Sequence, residues 1–283
     1  MASAVQVPRP TPLLDACGQG DLCLVQRLVA EDPRRVATER NVHGATALIV
    51  ASWSGHLHIV MWLVNAAGAA PQTERSTNGS TAFLAACERG HLGVAQWLLR
   101  HGGSRFHELN QSRDSALILA CANNRLDVAR WLYGTGCIQL NADINDNGAN
   151  ALVAAAWFGH LEVVQWFLTE CPESIPFVFD AVMTACRRGH LHILEWMAGR
   201  YAVPGDALNV ACSYGQLDVA RWLAEHLPKL FSYKDPFGFT PFMFSCERGH
   251  LQVAKWLASV EPGMIHVRGV VCVACLTQHA THS

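Results

Sequence analysis

"CERGHLGVAQWLLR" at residues 87–100 returns almost unchanged as "CRRGHLHILEWMAG" at 186–199 and "CERGHLQVAKWLAS" at 246–259. Aligning the chain on the glycine of this phrase yields eight copies. Their anchors are Gly20, Gly55, Gly90, Asn124, Gly159, Gly189, Gly215 and Gly249, spaced 35, 35, 34, 35, 30, 26 and 34 residues apart. Periods of this size mark stacked supersecondary units, not one closed globule.

Each copy repeats one grammar. Nine residues before the anchor stands a residue able to cap a helix: Thr11, Thr46, Thr81, Ser115, Asn150, Asp180, Asp206 or Thr240. An apolar, alanine-rich stretch such as "TAFLAAC" follows and predicts a first helix. The anchor ends it, as a residue tolerant of positive φ does. A second helix follows, as in "HLGVAQWLL", with Val94, Trp97 and Leu98 at anchor +4, +7 and +8. That spacing predicts one buried stripe. Helices this short cannot bury their stripes alone, so the pattern predicts an all-α solenoid of stacked helix-turn-helix repeats. "HGAT", "NGST", "NGAN" and "FGFT" supply turn signals between copies.

The pattern resembles the ankyrin repeat family. The "TPL" opening stands as Thr11-Pro12-Leu13 and nearly so as Thr240-Pro241-Phe242, with the alanine pair at Ala85-Ala86 and the "GH" at Gly90-His91. The resemblance covers residues 11–258 and implies short β-turn fingers between helix pairs. It leaves 1–10 as a flexible tail and 259–283 as a truncated ninth repeat or frayed end. Two departures stand out. The histidine that follows "TPL" in the family is replaced by Leu14, Ile49, Leu84 or Met243, and tryptophan takes an aliphatic place at +7. Copies six and seven are short, so no proper finger is expected between Trp196 and Asp206, and the stack is expected to change curvature over 168–206. "CPESIPFVF", with two prolines, predicts a loop.

Three recurring columns invite functional readings and are better explained as scaffold. Seven of nine tryptophans sit at +7 (Trp62, Trp97, Trp131, Trp166, Trp196, Trp222 and Trp256), with Arg27 in the first copy. An aromatic ladder for bases or sugars is one reading; packing along the second helices is the other, and helical-period aromatics are usually core. Full burial would make Trp131→Ala cost about 3–5 kcal/mol. Six cysteines share position −3 with Ser52 and Ala156, which asks for a small buried side chain. Equivalent points in successive repeats lie ~8–10 Å apart, beyond disulfide reach, so these thiols are expected to be free. His56, His91, His160, His190 and His250 follow the anchor. One repeat apart, they cannot share a metal, and bonds to backbone at the helix junction are expected.

The tail "GVVCVACLTQHATHS" contains Cys272, Cys275, His279 and His282, which have zinc-ligand types without the usual finger spacing. Overlaid on "AACERGH", the same residues read as the first helix of a ninth repeat. No nucleophile elbow, phosphate loop, paired-histidine zinc helix or dinucleotide fingerprint is present, so no enzyme and no cofactor are expected. Charged residues are 16% of 283 and the net charge is -2, which disfavours nucleic acid. No apolar run reaches the ~18 residues of a spanning helix, and cysteine usage suits a reducing compartment. A monomeric protein of the cytoplasm, or of the nucleus, fits these features.

The resemblance implies that partners are bound on a concave face, through the two residues before each anchor and the loop tips. That row holds the tryptophans outside the packing column, Trp53 and Trp157. With them stand Phe158, Arg187, Arg188 and Tyr214, flanked by Arg89. Trp, Tyr and Arg are the residue types enriched at interface hot spots. The row predicts a protein partner with an acidic and apolar segment. The alternatives are a targeting portion of a larger signalling or ubiquitin-ligase adaptor, and a metal- or redox-responsive protein using Cys272 and Cys275.

Overall fold

The computed structural model describes residues 11–136 and 143–260. The flexible tail expected at 1–10, and all but the first two residues of the segment at 259–283 expected to be a truncated ninth repeat or frayed end, with Cys272 and Cys275, lie outside the described residues. The chain divides into two compact units between Ala154 and Ala155.

The first unit pairs α1 (Pro12–Gln19) with α2 (Leu22–Glu31), followed by the short α3 (Arg35–Thr38). It then pairs α4 (Ala47–Trp53) with α5 (Leu57–Asn65), α6 (Ala82–Arg89) with α7 (Leu92–Arg100), and α8 (Ala116–Ala122) with α9 (Leu126–Gly134). The unit boundary falls inside α10 (Ala151–Phe158). The second unit continues with α11 (Leu161–Glu170), α12 (Val178–Arg188) and α13 (Leu191–Ala198). It closes with α14 (Ala207–Ser213), α15 (Leu217–His226), α16 (Pro241–Glu247) and α17 (Leu251–Val260). First helices stack on first helices: α1 on α4, α4 on α6, α6 on α8, and likewise α12 on α14 and α14 on α16. The described residues form an all-α solenoid of helix pairs, as the repeat grammar requires.

Capping follows the sequence at most copies. The side chains of Thr11, Thr46, Thr81, Ser115 and Thr240 each accept from the backbone N–H three residues on, and Asn150 does so from Val153. Asp180 departs. A 3-10 helix over Pro172–Phe177, where a loop was expected, feeds directly into α12, so Asp180 lies in its first turn. There its charge complements the helix dipole without capping. Asp206 makes no side-chain cap bond; its backbone (φ -89, ψ 2) is not in the extended conformation of the other caps.

The capping hydroxyls have a second partner. Thr46 donates to Glu74, Thr81 to Glu108 and Ser115 to Asp143, each carboxylate lying 27 or 28 residues downstream in the next link. Glu74 also accepts from the Ala70 N–H, and Glu108 from that of Arg105. One acid therefore ties a helix start to the link that follows.

The links hold hydrogen-bonded turns but no named strands, so the expected fingers are not detected as β structure. Among the described residues the β feature is an isolated bridge, Leu109 to Ser115. In the first unit the turns at 41–44, 76–79, 110–113 and 145–148 hang one from the next. Thr77 N–H donates to the His43 carbonyl, Gln111 to Asn78, and Asp146 to Ser112.

The anchor column shows why glycine recurs. Gly20, Gly55, Gly90, Gly159, Gly189 and Gly215 all have φ between 73 and 84°. A second demand comes from the next repeat, whose side chain at anchor +1 crosses over the glycine. A Cβ on Gly55 would lie 2.5 Å from the His91 ring, and one on Gly215 2.6 Å from His250. The crossing side chain ends in a hydrogen bond to the carbonyl two residues before that glycine. His56 donates to Gly18 at 3.0 Å, His91 to Trp53 at 2.9 Å, His190 to Trp157 at 2.9 Å and His250 to Ser213 at 2.9 Å. Arg125 and Gln216 make the same bond to Glu88 and Arg187. A carbonyl only accepts, so Nε2 of each histidine carries the proton.

The buried stripe of the second helices differs from the expected one. Positions +4, +5 and +8 are buried (Val94, Ala95, Leu98; Val219, Ala220, Leu223), whereas the +7 tryptophans are half-buried, Trp166 excepted at 3% exposure. At ~100° per residue, +4, +8 and +5 span an arc of ~100°, and +7 falls ~60° beyond its edge. Several edge indoles lean on a neighbouring ring or cation. Trp222 stacks on His226 at 4.4 Å, Trp131 meets Phe106 at 6.3 Å and Arg200 covers Trp196 at 4.3 Å.

The −3 column is buried as expected except at Cys246, which is half-buried. Cys17, Cys87, Cys186 and Cys212 are free thiols, and burial pushes Cys17 and Cys186 up to about 12. Cys246 departs, being disulfide-bonded. The distance argument excludes bonds between equivalent positions of successive repeats and does not reach cysteines elsewhere in the chain.

Two predictions follow from these contacts. Trp166→Ala is expected to cost about 3–5 kcal/mol, and Trp131→Ala only about 1–2 kcal/mol, by chemical denaturation. Equal losses would contradict the half-buried edge. For the crossing histidine, burial first, and then Arg89, Arg125 and His56, hold the His91 pKa below its ordinary value, against the raising effect of its bond to Trp53. A depressed histidine contributes stability above the unfolded pKa of ~6.5 that is lost as pH falls through the folded value. His91→Gln, which supplies the amide found at Gln216, is expected to keep the bond and flatten that acid-side loss in thermal melts. His91→Leu is expected to lose about 1 kcal/mol at neutral pH.

Candidate interaction surface

The residues at −2 and −1 end each first helix, and the anchor's left-handed turn leaves them free of the stripe that packs helix on helix. In the first unit Trp53 closes α4 at 41% exposure, and Arg89 closes α6 beside it. The Arg89 guanidinium lies 4.9 Å over the Trp53 ring. In the second unit Arg188 lies 4.6 Å over Trp157, and Arg187 lies 5.3 Å over Tyr214. Trp157 is 37% exposed and Tyr214 50%. The structure therefore brings the sequence-predicted residues together in cation–π pairs between neighbouring repeats. Phe158 stands outside these pairs, 54% exposed, with its ring stacked near His160 at 6.3 Å.

This pairing has chemical consequences. The aromatic faces are not tucked under the loops; each is half covered by a cation. A guanidinium offers a planar fork suited to bidentate binding of a carboxylate, although the Nε of Arg187 is itself buried. Holding it on the ring also removes rotamer freedom before any partner arrives, which lowers the cost of ordering it. The Arg187 carbonyl accepts from Gln216, and the Trp157 carbonyl from His190. The crossing side chains thus fix the backbone from which the row projects.

The first unit adds a feature the repeat grammar did not single out. A groove of 490 Å³ opens between the turn after α3 and the turn before α6. Ala45, Ile49, Val50 and Ala85 give it an apolar side, Trp53 a wall, and Glu88 an acid. Burial, and then Asp114, push the Glu88 carboxyl above its usual value, against the opposing effect of Arg89. The sequence signal was present but faint, since Glu88 shares its column with Gly18, Trp53 and Ala122. Phe237 was likewise passed over. At the tip of the turn 235–238 it is 86% exposed, where other turns carry His43, Asn78, Ser112 or Asn147.

Among the described residues no three His, Cys, Asp or Glu side chains are grouped to hold a metal ion, and no helix is long and apolar enough to cross a membrane. No curated protein matches the chain. A model described as ankyrin repeats (3 copies) matches residues 67–139, 84–178 and 182–267, and one described as ankyrin repeat matches 43–74. That architecture is characteristically a non-catalytic scaffold for protein–protein interaction. Matched over 43–178 and 182–267, the chain belongs to the ankyrin repeat family.

Proposed function

We propose that this protein binds a partner protein or peptide through the row of side chains preceding the anchor residues, on the face that is concave in ankyrin arrays. Trp157, Phe158, Arg187, Arg188 and Tyr214 form the principal contact, with Trp53 and Arg89 as a corresponding pair in the first unit. The observation that carries the reading is the arginine-on-aromatic pairing at Arg188–Trp157 and Arg187–Tyr214. The stack itself has no use for these residues. Of the two columns they occupy, the −2 column takes glycine, alanine and serine in other copies, and the −1 column takes glutamine, serine and asparagine.

The chemistry selects a kind of partner. Two adjacent guanidinium edges favour carboxylates, and the flanking rings favour apolar or aromatic side chains. A segment alternating acidic and apolar residues meets both demands. Exposed cation–π pairs contribute about 0.5–1 kcal/mol each, so removing one changes the surface more than it changes folding.

The test is affinity purification of partners on the immobilised protein, followed by mass spectrometry and a direct binding measurement on the protein recovered. The double variant Trp157→Ala/Arg188→Ala is expected to lose at least tenfold in affinity while its melting temperature stays within a few degrees of the original. Undiminished binding by a folded double variant would remove the reading.

A further inference from the structure

We propose that the groove of the first unit receives a lysine or arginine side chain of the bound partner, with Glu88 as the acid that meets its charged head. This deepens the proposed function and rests on it: the groove lies on the same face, and Trp53 belongs to both.

The argument begins with Glu88. Its carboxylate makes no hydrogen bond and no ion pair among the described residues, although Arg89 adjoins it in the chain and Arg125 reaches its backbone from the next repeat. Both are committed elsewhere. The Arg89 guanidinium lies over the Trp53 ring at 4.9 Å, and Arg125 crosses Gly90 to donate its Nε–H to the Glu88 carbonyl oxygen at 3.3 Å, not to the carboxylate. The acid neighbouring it, Asp114, is itself satisfied by the amides of Asn110 and Asn145, and adds to the negative potential. Other titratable groups on the surrounding elements include His43 on one lining turn, Glu74 and Arg75 beside the other, the buried Cys87, and His91; Glu74 accepts from Thr46 and Ala70, Arg75 donates to the Gly79 and Leu109 carbonyls, and the His91 Nε2–H is used by the Trp53 carbonyl. The carboxylate is thus partly withdrawn from water and, although Arg89 acts on it electrostatically, makes no ion pair among the described residues.

The groove has the form of a long cationic side chain. Lysine and arginine carry an apolar stem and a charged tip, and they bury the stem on apolar surface. Ile49, Val50 and Ala85 provide that surface, the Trp53 indole provides a ring wall, and Glu88 lies among the same lining residues. A volume of 490 Å³ leaves room for neighbouring residues of an extended segment beside the cation. A purely apolar occupant would leave the Glu88 charge shielded and unpaired, which is costly; an acidic occupant would add like charge.

The experiment uses the full chain and fluorescein-labelled octapeptide pools, with one position fixed as lysine, arginine, norleucine or glutamate and the others randomised. By fluorescence anisotropy, the lysine and arginine pools are expected to bind at least tenfold more tightly than the norleucine and glutamate pools. Glu88→Gln is expected to abolish that preference, and lowering the pH through the raised carboxyl range to weaken the lysine and arginine pools but not the norleucine pool. Glu88→Gln removes a shielded charge, so its melting temperature at neutral pH is expected to be no lower than that of the original, which separates loss of binding from loss of fold. Equal binding of the lysine and norleucine pools, a lysine preference that survives Glu88→Gln, or no pool binding at all would overturn the inference. The double variant Trp157→Ala/Arg188→Ala separates this inference from the reading on which it rests. A partner lost with that variant but unaffected by Glu88→Gln would sink the groove inference and leave the proposed function standing.

Discussion

A side chain reaching backward over a glycine is the constraint on which this structure turns. At six junctions the residue after the anchor lies across the preceding repeat's anchor and ends on a carbonyl of the preceding first helix. Glycine meets two needs there, positive φ and the absence of a Cβ. The bond also satisfies a carbonyl at the end of a helix, where intrahelical donors run out. Burial of apolar stripes supplies most of the favourable free energy of stacking, but it is non-directional. The crossing bond gives it register.

That register is also what makes an interaction surface available. The accepting carbonyls belong to Gly18, Trp53, Glu88, Trp157, Arg187 and Ser213, all in the −2 column. Each repeat therefore fixes the backbone of its neighbour at the very residue whose side chain is free to vary. A rigid backbone carrying unconstrained side chains is what a binding scaffold requires, because function then changes without disturbing the stack. Arg89 over Trp53 and Arg188 over Trp157 extend the same logic to the side chains, each cation laid on the ring of the repeat before it.

Much of the stacking was legible in the letters. The eight anchors, the Thr and Ser caps and the small −3 column are local or periodic, and their chemistry is visible in a single copy. What escaped depended on distance or on angle. The carboxylates of Glu74, Glu108 and Asp143 reach caps 27 or 28 residues earlier and carry no motif of their own. The tryptophans at +7 looked central because they are large and regular, yet the stripe centres on +8 and leaves them at its edge. Asp180 looked like a cap because it stands at the right offset, but the 3-10 helix before it moves the helix start upstream. The row proposed to bind was half legible. Its aromatics stood out against the repeat, whereas their pairing with arginines and the Glu88 groove needed coordinates.

The central claim is that anchor and crossing residue act as one unit. A double-mutant cycle between Gly55→Ala and His91→Ala, read by equilibrium denaturation, tests it directly. If the His91 ring is what forbids a Cβ at Gly55, the double variant will retain the left-handed backbone strain of alanine but escape the clash. The two losses will then fall short of their sum by about 1 kcal/mol or more. Strictly additive losses would show that the glycine serves its own turn alone and that the two positions are independent.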